Sequence, residues 1–463
     1  MSIVAAFMVP HPPLIIPEVG KGSEEIVQRT IDAYTEVAKE ISKLHPDTVI
    51  ISSPHAVMYS DYFAISPGAH AHGSFAGFEA PRVTINAEYD EELVSKLCEL
   101  SGKEGFPAGV QGERNSITEL DHGTMIPLWF LNKFQTDYKL VRVGLSGLPL
   151  TAHYAFGQLI KNAVSEVGRK AVFIASGDLS HKLQETGPYG FAPEGPEYDK
   201  RIMDVCGRGA FGELLEFDDE FLDRAAECGH RSFTIMAGAL DGQDVRATVL
   251  SHEDVTGVGY GICTFYPGNA NKQRHFLDKK LDSAARKIKK MQKESDEYVA
   301  LARQTIETFI TTGEEIPVPS NLPKEMTEKT AGAFVSIHKN GKLRGCIGTI
   351  LPTRDNLAKE IISNAISAAT ADPRFTPIVS GELPWLDIKV DVLTEPEQIS
   401  SIDELDVKRY GVIVSTGPKT GLLLPDLEGV DTVEEQVSIA LQKGGITEDE
   451  EVFLYRFEVI RHT

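Results

Sequence analysis

SIVAAFMV (residues 2–9) is a nearly uninterrupted apolar run that ends in the proline-flanked histidine of VPHPP (9–13). A run this short, rich in β-branched residues and closed by prolines, reads as a strand buried on both faces. The same pattern recurs downstream. DTVIIS (47–52) runs into SSPHA, KLVRVGL (139–145) is a third strand, and KAVFIAS (170–176) runs into SGDLSH. Between the first two lies SEEIVQRTIDAYTEVAKEISKL (23–44), whose apolar residues repeat at helical spacing. Buried strands alternating with amphipathic helices predict an α/β fold, a mainly parallel sheet with helices on both faces. RATVLS (246–251) and GYGICTFY (259–266) would complete that sheet.

In open parallel sheets, sites form just beyond the carboxyl ends of the strands. His11, His55 and the pair Asp178 and His181 all follow strands in this way, so three strands deliver metal-competent side chains to one edge. Two neutral imidazoles plus one carboxylate form the facial arrangement that holds Fe(II) with coordination positions left open. A third ligand must come from elsewhere. AAECGHRSFTIMAGAL (225–240) offers Glu227, Cys228 and His230 at the start of an expected helix, although Glu227 also reads as a favourable first-turn acid.

Length and composition bound the rest. The 463 residues are enough for two or three domains, and 41% apolar with 25% charged residues is ordinary globular composition. A formal charge of −22 repels phosphate backbones, which argues against nucleic-acid binding. The five cysteines contain no CxxC pair, so no disulfide framework or chain-borne iron–sulfur cluster is expected, and reduced thiols suit a cytoplasmic protein. The apolar N-terminus lacks the basic segment of a signal peptide, and no stretch approaches the 18 apolar residues of a membrane span.

NANKQRHFLDKKLDSAARKIKKMQK (269–293) carries nine Lys/Arg against two Asp inside this acidic chain. It reads as a basic helical connector, with docking onto an acidic face as the alternative. Beyond it the alternating rhythm is lost. Helices at 295–312 and 354–370, with strands at 333–338, 387–393, 411–415 and 452–459, predict an α+β domain. The expected division is thus 1–267, a connector over 268–292, and 293–463.

VPHPP, SSPHA, LDHGTMIPL and SGDLSH, in this order, resemble the catalytic subunit of class III extradiol dioxygenases (LigB-like) over residues 1–267. The resemblance implies that His11 and His55 ligate Fe(II), with Zn or Cu as alternatives. It implies that His181 is the acid/base for a catechol hydroxyl and that His122 lines the pocket of a small aromatic substrate attacked by O2. Asp178, three residues before His181, reads from its position as orienting that histidine or contacting the pocket, with a loop-capping role as the alternative. The family's third ligand is a glutamate, whereas the related Memo family presents a cysteine; ECG (227–229) contains both, and Glu227 is the choice that suits a dioxygenase.

KLRGCIGTI (342–350), ADPRFTPI (371–378) and GLLLPD (421–426) resemble the AMMECR-type domain over about 293–463. Arg344 and Cys346 lie on a glycine-flanked segment, where a guanidinium beside a thiol would favour the thiolate, although a buried cysteine in a strand after a turn is the commoner arrangement. Asp372 and Arg374 read as a turn-closing pair or an anion site. Both halves together resemble the fused form of a gene system (AmmeMemoRadiSam) that also contains a radical-SAM protein. That implies a radical-SAM partner, and leaves a Memo-like metal-binding scaffold as the alternative to ring cleavage.

Overall fold

The computed structural model describes residues 2–110, 119–339, 341–427, 429–447 and 450–463. The chain forms two compact units, Met1–Lys280 and Leu281–Thr463.

The first unit is built on an eight-stranded sheet in the order His70–Phe75, Ala80–Tyr89, Lys139–Gly144, Thr48–Ser53, Ala171–Ser176, Ile3–Val9, Tyr260–Ala270, Gln243–Glu253. The strands from Ala80–Tyr89 to Ile3–Val9 run parallel, and the outer ones pair antiparallel. Strand Ile3–Val9 shows why the run is apolar throughout. Its Ile3, Ala6 and Met8 pack with Tyr154 and Phe156 on one face, while Ala5, Phe7 and Val9 pack with Tyr34 and Val37 on the other. Helices Gln28–Leu44 and His122–Leu131 cover the second face, and Leu150–Val167 and His230–Ala239 the first.

Two differences from the expected elements have physical causes. Residues Ser23–Val27 form a 3-10 turn, and the α-helix starts only at Gln28, because Val27 lies outside helical dihedrals. The strands His70–Phe75 and Ala80–Tyr89 were not anticipated. Both are half exposed and polar on one side, so they lack the continuous apolar signal of the central strands.

The basic segment begins inside the first unit. Asp241 accepts hydrogen bonds from Tyr154 Oη (2.6 Å) and the Phe276 amide (3.2 Å) and pairs with His275 (2.8 Å), and Leu277 is buried. The helix then runs over Phe276–Glu294.

The second unit contains two four-stranded sheets. Helices Glu297–Thr312 and Leu357–Thr370 cover Val335, Ile337, Ile388 and Val390 of one sheet, and helix Val433–Gly444 covers Val412, Val414 and Leu423 of the other. The single strand expected over 452–459 is two, Phe453–Phe457 and Val459–His462, one in each sheet. The first glycine of the LRGCIG string has a packing reason: a Cβ on Gly345 would sit 2.2 Å from the Ala368 carbonyl oxygen of the covering helix.

Candidate metal centre

His11, His55 and the SGDLSH loop follow three strands that lie side by side: Thr48–Ser53, Ala171–Ser176 and Ile3–Val9. Parallel pairing brings Val9 level with Ser176, and Ser52 level with Ala175, so the residues after each strand emerge together. The His11 Nε2 and His55 Nε2 atoms are 3.0 Å apart. His11 is 2% exposed, whereas His55 is open to solvent.

The hydrogen bonds around His11 fix its tautomer. The Ser176 hydroxyl donates to the Gly123 carbonyl (2.6 Å), which can only accept. Ser176 Oγ therefore accepts from His11 Nδ1 at 3.0 Å, and Nε2 is left with a bare lone pair aimed at His55. Burial, then the neighbouring His55, pushes the His11 pKa down to about 3 despite Asp121. Burial also lowers His55, against the pull of Asp121 and Asp178. Both imidazoles are neutral donors at pH 7.

The third donor is Cys228. Its Sγ lies 3.6 Å from His11 Nε2, and His11, His55 and Cys228 place their donor atoms within 4.8 Å of one another. Glu227, the glutamate expected to complete the site, is not among them. Its Oε2 accepts from the His230 amide at 2.5 Å, at the start of helix His230–Ala239. Glu227 thus precedes the first turn of that helix, binds its opening amide, and stays outside the donor cluster. Burial pushes the Glu227 carboxyl up to about 7 against that hydrogen bond, and pushes the Cys228 thiol well above its ordinary range.

Asp178 and His181 border the same thiol. The His11 amide donates to Asp178 Oδ1 (2.7 Å), and the Asp178 amide donates to Cys228 Sγ (3.2 Å). Burial raises the Asp178 carboxyl to about 6. The His181 ring lies on Tyr189, with centroids 5.0 Å apart, and burial lowers its pKa. His122 opens helix His122–Leu131 and packs 4.0 Å from the His55 ring and 5.3 Å from Phe78. Burial and the two other imidazoles push it down to about 3.

Asp121 was missed by sequence reasoning. It caps the His122 helix by accepting from the Thr124 amide (3.0 Å), accepts from Ser53 Oγ (2.6 Å), and lies 3.5 Å from the fully buried Arg142. Ser53 Oγ in turn accepts from the His55 amide (3.2 Å), so Asp121 supports the segment that carries His55. The capping pattern D-x-x-T of LDHGT was the signal available.

These donors fit a transition-metal ion. Two imidazole nitrogens each about 2.1 Å from one ion, separated by roughly 90–110° around it, are about 3.0–3.4 Å apart, and a nitrogen and a thiolate sulfur at about 2.3 Å are roughly 3.6 Å apart. The observed 3.0 and 3.6 Å match both.

Residues 5–263 match the family described as the catalytic LigB subunit of aromatic ring-opening dioxygenase. The chain belongs to this family. Residues 299–462 match a second family, AMMECR1, so a LigB domain is followed by an AMMECR1 domain. A protein of Clostridium acetobutylicum is 41% identical over 470 residues, covering all of this chain and 99% of its own. A Thermotoga maritima protein is 53% identical over 167 residues, covering 36% of this chain and 96% of its own. Among solved structures, an uncharacterised Pyrococcus horikoshii protein is 35% identical with a TM-score of 0.34, covering 35% of this chain and 88% of its own.

In the AMMECR1 domain the motif arginines are committed to structure. Arg344 donates to Glu382 (3.0 Å) and to the Thr376 carbonyl (2.7 Å). Arg374 is paired with Asp372 (2.7 Å), and Asp372 also accepts from the Cys346 amide (2.9 Å). The Asp372–Arg374 pair therefore closes a turn onto the LRGCIG strand. The thiol of Cys346 meets Ser336 Oγ at 3.1 Å, and the guanidinium beside it is that of Arg374, which also donates to the Cys346 carbonyl at 3.1 Å, rather than that of Arg344.

Among the described residues no helix is long and apolar enough to cross a membrane.

Proposed function

We propose that the LigB domain is a metal-binding module in which His11, His55 and Cys228 hold one transition-metal ion. The observation that carries this reading is the position of Cys228, whose sulfur meets the histidines while Glu227 is spent on the His230 amide. A thiolate among two imidazoles suits Zn or Cu as well as the Fe(II) expected from the family. Such an ion supplies Lewis acidity and, if Fe or Cu, one-electron chemistry. The chain's own residues do the remainder. The Ser176 hydroxyl orients His11, Asp178 holds the His11 backbone, and His122 with Phe78 gives an aromatic wall to the open side.

A second reading, ring opening of a catechol by O2, is favoured by His181. Its imidazole borders Cys228 and is neutral at pH 7, so it could take a hydroxyl proton from a bound catechol. A radical-SAM partner remains part of the proposal on the resemblance of the fused chain alone.

The test is elemental analysis of protein purified without oxygen, followed by oxygen consumption with a panel of catechols. Bound metal without ring cleavage supports the first reading, and catechol-dependent oxygen uptake supports the second. Purified protein that neither contains nor takes up Fe(II), Zn(II) or Cu(I) would sink both.

A further inference from the structure

We infer that the LigB domain holds a second metal ion beside the first, bound by Asp178, His181 and Cys228, with the Cys228 thiolate shared between the two. The inference rests on the reading of the first ion given above and extends it. Among the described residues, two sets of donor atoms each lie within 4.8 Å of one another: His11, His55 and Cys228, and then Asp178, His181 and Cys228. The five side chains do not form one such set, so a single ion gathering all of them is not what the arrangement favours. Cys228 is the one residue common to both sets, and a thiolate has lone pairs enough to bind two ions at once.

The surroundings are those of a prepared site. The SGDLSH loop is docked on the sulfur, with the Asp178 amide donating to Cys228 Sγ at 3.2 Å. One oxygen of Asp178 accepts from the His11 amide at 2.7 Å, and the other lies 4.0 Å from His11 Nε2, facing the metal-binding cluster. Asp178 is 8% exposed, and a carboxylate at that depth calls for a cation or another partner. Among the described residues neither ring nitrogen of His181 has a hydrogen bond, and its ring contact is the stack on Tyr189. A buried carboxylate, a free imidazole and a shared thiol are three ligands of the kinds that borderline and soft divalent ions accept, with further positions open. The negative charges of Asp178 and the thiolate partly offset those of two cations.

The experiment is metal titration of the full chain with Zn(II), read by equilibrium dialysis and elemental analysis, with Co(II) as a spectroscopic probe of thiolate ligation. The unmodified protein should bind two ions per chain, and the thiolate-to-Co(II) absorption should keep changing up to the second equivalent. His181→Ala and the near-isosteric Asp178→Asn should each bind one ion, and the double variant His11→Ala/His55→Ala should also retain one. Cys228→Ala should lose tight binding of both. Circular dichroism of each variant separates loss of a site from loss of the fold. A single ion in the unmodified chain overturns this inference and leaves the first site standing, whereas no bound ion overturns both. Two ions still bound by folded His181→Ala and Asp178→Asn would likewise overturn it.

Discussion

Glu227 and Cys228 are neighbours in the chain, and one local turn decides which of them meets the histidines. Helix Asp219–Ala225 closes on Ala226 in the left-handed region (φ 51), and the chain then enters the next helix with Glu227 on the His230 amide and Cys228 facing His11. Cys228→Ala should therefore lower metal affinity by at least about 100-fold, while Glu227→Gln, which keeps an acceptor for the His230 amide, should change it by less than about tenfold. Competition titration against a chelator checks both, and equal losses in the two variants would contradict the assignment. Here the limit of the sequence is visible. His11 and His55 were legible because each follows a buried strand, but a single left-handed residue cannot be read from composition, so the choice between adjacent ligands stayed open. The AMMECR1 domain offers a second residue-scale expectation. Burial favours the neutral form of Glu382, but Arg344 and Lys339 outweigh it and hold the carboxyl at about 2, below its ordinary 4.5. A depressed carboxyl stabilises the fold above its unfolded pKa, so this contribution is full above about pH 4.5 and fades as pH falls toward 2. Glu382→Gln should cost about 1–3 kcal/mol at pH 7 and flatten the acid limb of the domain's stability curve. An unchanged acid limb in urea unfolding from pH 7 to 3 would remove Glu382 from that role.

At the scale of elements, the site depends on how closely the strand-end loops approach the helix that follows Cys228. A Cβ on Gly177 would stand 2.1 Å from the Gly229 Cα, so the SGD loop and the CGH turn touch backbone to backbone. Gly177→Ala should push the two apart, destabilise the domain by about 1–3 kcal/mol and weaken metal binding by moving Cys228 away from His11. Thermal unfolding with and without added Zn(II) measures both effects; an unchanged metal-induced rise in Tm would show that the contact does not set the thiol's position. The central strands were readable because burial on both faces leaves no polar alternation to confuse them. The outer pair was not. In His70–Phe75 the histidines at 70 and 72 are exposed and alternate with buried Ala71 and Gly73, and so short a half-buried run resembles a loop. Strand Tyr260–Ala270 likewise extends beyond the Tyr266 end that its apolar residues suggested, because its final residues pair only with the edge strand Gln243–Glu253 and are exposed, so their side chains need not be apolar.

For the whole molecule, the division lies inside the basic helix and not at either end of it. The first unit closes at Lys280, after Asp241 has tied down His275 and Phe276, and the second begins at Leu281. Each unit has its own apolar core, in the first around Phe156 and Phe173 on one face of the sheet and Phe7 on the other, in the second around Val335, Ile361 and Ile388. Separate cores imply that each unit can fold without the other. The intervening helix has little to hold it: Lys279, Arg286, Lys287, Lys289, Lys290 and Lys293 are all exposed, and Leu277 is its one fully buried residue. Long exposed helices without a buried face open readily and present cleavable bonds when they do. Limited trypsin digestion should thus cut first between Lys279 and Lys293, giving two resistant fragments close to 1–280 and 281–463, which mass spectrometry can place to the residue. The two fragments, expressed separately, should each unfold cooperatively, and added Zn(II) should raise the Tm of the first alone, since all the metal-site donors lie there. Trypsin cutting first within either core, or a second fragment that cannot fold by itself, would mean that the two units depend on each other for stability.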